Sequence, residues 1–184
     1  MAMIGTLLRH LDRFRRDHRG AVLVEMTLIT PLMLFLSAGV FEFGNLIHDK
    51  LLMEAGLSDA ARFGARCNSQ LYTQYSGFTA INCSDVAANI AVFGNAAGSG
   101  DARINGWKKL ETPPNPSNNV TVNTATSCHD AVEAGVTKYR STTPQVCIVR
   151  AVGNYPYTGV GMLSFIGIGP ITLHGTHEER LIRF

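Results

Sequence analysis

The sequence predicts an α+β chain: one long N-terminal helix, membrane-spanning in its first half, packed against a small antiparallel sheet of three or four strands. Three observations carry this. Apolar residues run almost unbroken from Ala21 to Ile47. Helical spacing continues beyond them as far as Arg66, and past Cys67 the segments rich in β-branched residues lie after residue 119. Periodicity of about 3.6 residues followed by β-branched segments is the pattern of a helix that supports a sheet.

The chain has 184 residues, room for one ordinary domain once a membrane segment is set aside. Its first 20 residues hold Arg9, Arg13, Arg15, Arg16 and Arg19 against Asp12 and Asp17. An arginine-rich flank places that end in the cytoplasm and sends the C-terminal body across the membrane. Of 16 basic and 14 acidic side chains in all, 11 and 12 remain beyond residue 20. The body therefore carries no basic stripe, and nucleic-acid binding has no electrostatic support.

From Ala21 to Ile47 there are 27 positions, and about 20 suffice to span a bilayer as a helix. Pro31 should loosen one turn, which membrane helices tolerate when other groups satisfy the freed carbonyl. In His48-Asp49-Lys50-Leu51-Leu52-Met53-Glu54 charges arrive but no breaker does. Met53, Leu57, Ala60, Ala61 and Gly64 then recur at three- and four-residue spacing, a stripe small enough to let another element approach closely. One helix is expected from Ala21 to Arg66, about 68 Å long at 1.5 Å per residue. The division expected is a leader over 1–20, a membrane half over 21–47 and an exported domain over 48–184.

Beyond Cys67 the composition turns to Asn, Ser, Thr, Gly and Tyr. Ser84 to Phe93 reads as a short helix with Ser84 as N-cap and Gly94 at its end. Ala96 to Asp101 is a small-residue loop, and Thr112 to Asn119, with Pro113, Pro114 and Pro116, is another connection. Val120 to Val122, Val146 to Val152 and Ile171 to His174 read as strands. Four cysteines lie past the membrane segment, and in an exported domain an even count reads as two disulfides with three pairings, four separate thiols being the alternative. Nearness in sequence favours Cys67–Cys83, joining the long helix to the short one, and Cys128–Cys147, joining a strand to the preceding loop.

No catalytic, metal or cofactor constellation emerges. His174 and His177 are three apart on an expected strand and point to opposite faces. Ser99, within Gly98-Ser99-Gly100, lacks the strand–turn–helix setting of a nucleophile elbow. Gly159-Val160-Gly161 and Gly167-Ile168-Gly169 read as turns rather than phosphate cradles. His129-Asp130 are only chain neighbours.

The distinctive chemistry is at the start of the apolar run. Arg15-Arg16-Asp17-His18-Arg19-Gly20 leads into Ala21-Val22-Leu23-Val24-Glu25. Membrane anchors exclude carboxylates, since an ionised one costs about 2.5–3.5 kcal/mol at the bilayer centre. A cut after Gly20 would give Ala21 a new ammonium, with Glu25 one turn away as its counter-charge. The other reading leaves Glu25 hydrated or protonated near the cytoplasmic headgroups. Glu42 is expected near the outer interface, within reach of water, with a second contact between subunits as the alternative.

The basic cluster, glycine and acid five residues beyond it resemble the class III signal of type IV prepilins. Gly20-Ala21 with Glu25, Thr30-Pro31, Gly39-Val40-Phe41-Glu42-Phe43-Gly44 and Ala60-Ala61-Arg62-Phe63-Gly64-Ala65-Arg66, in that order, resemble the N-terminal region of TadE-like proteins, minor pilins or pseudopilins of the tight-adherence (Tad/Flp) pilus. Val146 to Val152 and Tyr155-Pro156-Tyr157 are similar to that family's tail. Thr30 stands where leucine is usual, and Met26 where the short major pilin has tyrosine. The resemblance implies a pilin-like fold and a structural, non-enzymatic subunit without cofactor. It also implies cleavage by a prepilin peptidase between Gly20 and Ala21, assembly through Glu25 and Glu42, and partners among the other Tad pilins and the inner-membrane assembly platform. The protein would reside in the bacterial inner membrane with its domain in the periplasm, then in the pilus, where it would support adhesion and biofilm formation. A competing expectation is a secreted protein with a conventional signal peptide cut near Gly39. Against it, such a peptide's apolar region is only about 7–15 residues long and should not begin with a glutamate.

Overall fold

A computed structural model describes residues 19–68, 79–109, 116–138, 145–159, 161–165 and 167–182. The leader arginines before Arg19, and Pro113 and Pro114, lie outside the described residues. Helix α1 runs from Arg19 to Arg66, followed by helix α2 (Cys83–Phe93) and strands β1 (Asn119–Asp130), β2 (Val132–Glu133), β3 (Val136–Thr137) and β4 (Gln145–Tyr157). A single-turn helix α3 (Met162–Phe165) and strand β5 (Ile171–Arg180) complete the order. The class is α+β. The chain forms two compact units, Met1–Gly44 and Asn45–Phe184.

In the first unit the described residues form helix alone. Pro31 sits inside it without ending it. The Thr27 hydroxyl donates to Leu23 O (2.7 Å), Thr30 to Met26 O (2.6 Å) and Ser37 to Leu34 O (3.0 Å). Each polar side chain is thus satisfied by its own helix, the arrangement that lets hydroxyls lie in an apolar segment.

In the second unit a three-stranded antiparallel sheet, ordered β1-β4-β5, meets the residues of α1 beyond Asn45. Val120 and Val122 on β1, Val149, Ala151, Tyr155 and Tyr157 on β4 and Leu173 on β5 alternate into the core. From α1, Met53, Leu57, Ala60 and Ala61 are fully buried. Gly153 and Gly175 are cross-strand partners. A Cβ on Gly175 would stand 2.8 Å from Leu57 Cδ1, and one on Gly153 3.1 Å from Leu57 Cδ2, so the glycine pair forms the notch that receives Leu57. The small stripe of α1 meets α2: a Cβ on Gly56 would be 2.5 Å from the Ala91 carbonyl oxygen. Trp107, 1% exposed, closes this core from the loop after α2, donating Nε1–H to Asn154 O at 3.2 Å.

Several expectations change. Asn82, not Ser84, caps α2, its side chain accepting from Asp85 N at 3.2 Å. Ser84 lies one residue inside the helix and donates instead to Val122 O on β1. Gly94 is the C-cap. β1 runs on to Asp130 rather than stopping at Val122, because β4 pairs with it past an irregularity between Asn123 and Ser127. β5 likewise extends from His174 to Arg180 along β4. Cys128 is therefore a strand residue directly opposite Cys147, not part of a loop. β2 and β3 form a separate two-stranded hairpin around Ala134–Gly135.

Candidate functional site

The first turn of α1 carries the residues of interest. Gly20 is exposed, and nothing lies within 4 Å of where its Cβ would be. The helix already includes Arg19 and Gly20, so a protease needing extended backbone must unwind that turn. Glu25 is exposed and stands four residues beyond Ala21, one turn and about 6 Å along the axis.

From Val22 (57%) to Phe43 (51%) the large apolar side chains of the helix stand exposed, Leu28 and Phe41 by more than 70%. A helix apolar around its circumference is at rest only in lipid or among other helices. It is long and apolar enough to cross a membrane.

Glu42 differs from its expectation as an acid that water can reach. It is 1% exposed, while its neighbours Phe41 and Phe43 face outward. Positions 42, 46 and 49 share one side of the helix. A carboxylate in that position needs a polar partner. Asp49, on the same side beyond the apolar run, has its carboxyl pushed up by burial, with His48 opposing the shift.

The other sequence candidates separate. His174 contacts Asn154 Oδ1 through Nδ1 at 2.7 Å, whereas His177 reaches Glu179 at 3.3 Å. The backbone N–H of Ser99 donates to Asn95 Oδ1, and its carbonyl accepts from Asn95 Nδ2, so Ser99 belongs to a turn. Asp130 accepts from Gln145 across the β1–β4 pair. The cysteines form Cys67–Cys83 and Cys128–Cys147, with partners 16 and 19 positions apart in sequence.

Sequence reasoning missed the polar ties that hold the domain to α1. Arg103 bonds Asp59 at 2.6 Å, Arg62 reaches Glu179 at 3.4 Å, and Lys50 donates to the His174 carbonyl while pairing with Glu54 at 3.1 Å. It also missed Asn89, buried and bonded to Ala96 O and Lys109. Apart from Glu54 and Ala96, their partners are distant in sequence, so no local spacing announces them.

The family model for TadE-like proteins matches residues 20–62, which include Gly20, Ala21, Glu25, Glu42 and, farther along α1, Met53, Leu57, Ala60 and Ala61. No curated protein and no solved structure matches the chain. From the glycine before the apolar run to the segment of α1 that enters the folded domain, the chain is similar to TadE-like proteins.

Proposed function

We propose that the protein is a structural minor pilin or pseudopilin of a Tad-type pilus, cut by a prepilin peptidase between Gly20 and Ala21. The leader stays in the cytoplasm and the second unit lies in the periplasm until the subunit leaves the inner membrane. Assembly then involves the other Tad pilins and the inner-membrane platform, and the pilus supports adhesion and biofilm formation. The observation that carries this reading is the coincidence of the family match with Gly20 and Glu25 at the opening of an apolar, exposed helix.

Charge supplies the mechanism. The new ammonium of Ala21 and the carboxylate of Glu25, on one molecule or on neighbours, neutralise each other among packed apolar helices. Either charge alone in that setting is strongly unfavourable, and breaking such a pair costs about 3–5 kcal/mol. N-terminal sequencing of the membrane-extracted protein tests the cut. Ala21 as first residue is expected, and a start near Val40 contradicts it in favour of a conventional signal peptide. Gly20→Trp is expected to leave the full-length form, because a bulky side chain obstructs backbone entry into a peptidase cleft.

A further inference from the structure

We propose that the described residues of the connection between β4 and β5, 158–159, 161–165 and 167–170, form a lipid-contacting edge of the folded unit, seated in the headgroup layer of the bilayer. The inference rests on the reading of the N-terminal helix as membrane-spanning. Its second premise is the direction of β5. Along α1 from Lys50 to Ala65, the contacts on β5 and just beyond it advance in the same order. Lys50 meets the His174 carbonyl, Met53 and Leu57 meet Gly175, Arg62 meets Glu179, and Ala65 O accepts from Ile182 N at 2.9 Å. β5 therefore runs alongside this part of α1 in the same sense. Ile171 precedes His174 by three residues, about 10 Å of strand, which equals about seven residues of helix. The start of β5 and the connection before it thus lie at the end of the unit where its helical segment begins, near Asn45. By sequence, that is where the apolar run up to Ile47 hands over to charged residues.

The chemistry of the connection fits that place. From Ala151 to His177 the sequence contains no Asp, Glu, Lys or Arg, and within 158–170 only Thr158 and Ser164 carry polar side chains. At the opposite end of the sheet, the link between β1 and β4 carries Glu133 and Lys138, paired at 3.5 Å. Described residues of the connection are tied to one another and to the core. Leu163 of α3 is buried at 7% exposure. Gly167 N donates to Ser164 O (3.1 Å) and Ile168 N to Leu163 O (3.0 Å), a Schellman-type closure of that turn. The closure leaves Ile168 39% exposed, with Gly161, Gly169 and Pro170 also exposed. Irregular backbone of this kind is excluded from hydrocarbon, where its amides would go unsatisfied, but not from the headgroup layer. A single exposed isoleucine means little by itself. An uncharged connection at the end of the unit where its helical segment begins is what an interfacial lipid contact requires.

The chain's one tryptophan, Trp107, is buried at 1% exposure, so an added tryptophan can be read against a silent background. The experiment reconstitutes the full chain in phosphatidylcholine–phosphatidylglycerol vesicles as Ile168→Trp and, separately, as Val136→Trp at the far end of the unit. Brominated lipids report lipid contact, acrylamide reports water, and flotation reports membrane association. In Ile168→Trp, brominated lipid should lower the added emission at least about twofold, as for groups about 5–10 Å into the interface, while acrylamide quenches weakly. Val136→Trp should respond to acrylamide and not to brominated lipid. Equal acrylamide quenching of both variants, with no lipid response, would overturn the proposal. So would shielding of Ile168→Trp from both quenchers, which would place protein over this edge. Failure of the chain to float with vesicles removes the membrane-spanning reading, and the proposal falls with it.

Discussion

Leu57 fills the space that side chains on Gly153 and Gly175 would occupy, so these two glycines set how closely the sheet lies on α1. Gly175→Val forces Leu57 and Met53 aside and should destabilise the folded unit by about 1–3 kcal/mol, the usual cost of overpacking a filled core. Thermal unfolding in detergent checks it, and an unchanged melting temperature would show that the notch is not tight. Asp49 contributes a pH dependence whose sign follows from its surroundings. Burial holds its folded-state carboxyl above the usual value of 3.8, so the folded chain binds this proton more tightly than the unfolded chain does. The associated stability is present below the usual value and is lost as pH rises through the raised one. Asp49→Asn should therefore raise the melting temperature at neutral pH, with the gain shrinking as the pH falls toward the usual carboxylate range. A gain that grows on acidification would reverse the assignment.

Among the elements, the two disulfides brace different joints. Cys67–Cys83 ties the residue after α1 to the first residue of α2, and Cys128–Cys147 locks two directly opposed residues of β1 and β4. Closing loops of this length stabilises by about 3 kcal/mol through the unfolded chain. Cys67→Ser with Cys83→Ser should lower unfolding stability by that order, measured by denaturant titration, and a loss below about 0.5 kcal/mol would contradict it. The long helix was legible because apolar and small residues repeat along it without a breaker that membrane helices cannot absorb. The strands were legible only where valine and isoleucine cluster. Asn123 to Asp130 is built of Asn, Thr, Ala, Ser, Cys, His and Asp, and becomes strand because β4 pairs with it. Asn82 and Ser84 are both good caps, and local sequence does not say which carbonyl the serine will find across the fold. The inward turn of Glu42 was missed for a related reason: hydropathy registers its apolar neighbours but not which side of the helix is covered.

For the whole molecule, one sequence combines an apolar helix with a disulfide-braced α+β domain, and the family match lies across the helix and its entry into that domain. The account centres on Glu25 as the counter-charge to the ammonium that cleavage creates at Ala21. Glu25→Ala leaves the apolar helix intact, so membrane insertion should be normal, and processing should change little because the substitution lies beyond the cut. Incorporation should fail, since the Ala21 amine would enter an apolar assembly without its partner. Glu25→Asp should be intermediate, keeping the charge with a shorter reach. The most direct measurement shears filaments from cells and compares this subunit in the filament fraction with its inner-membrane pool. The account predicts a fall of about tenfold or more for Glu25→Ala, the equivalent of at least 1.4 kcal/mol; incorporation equal to that of the unaltered protein would contradict it.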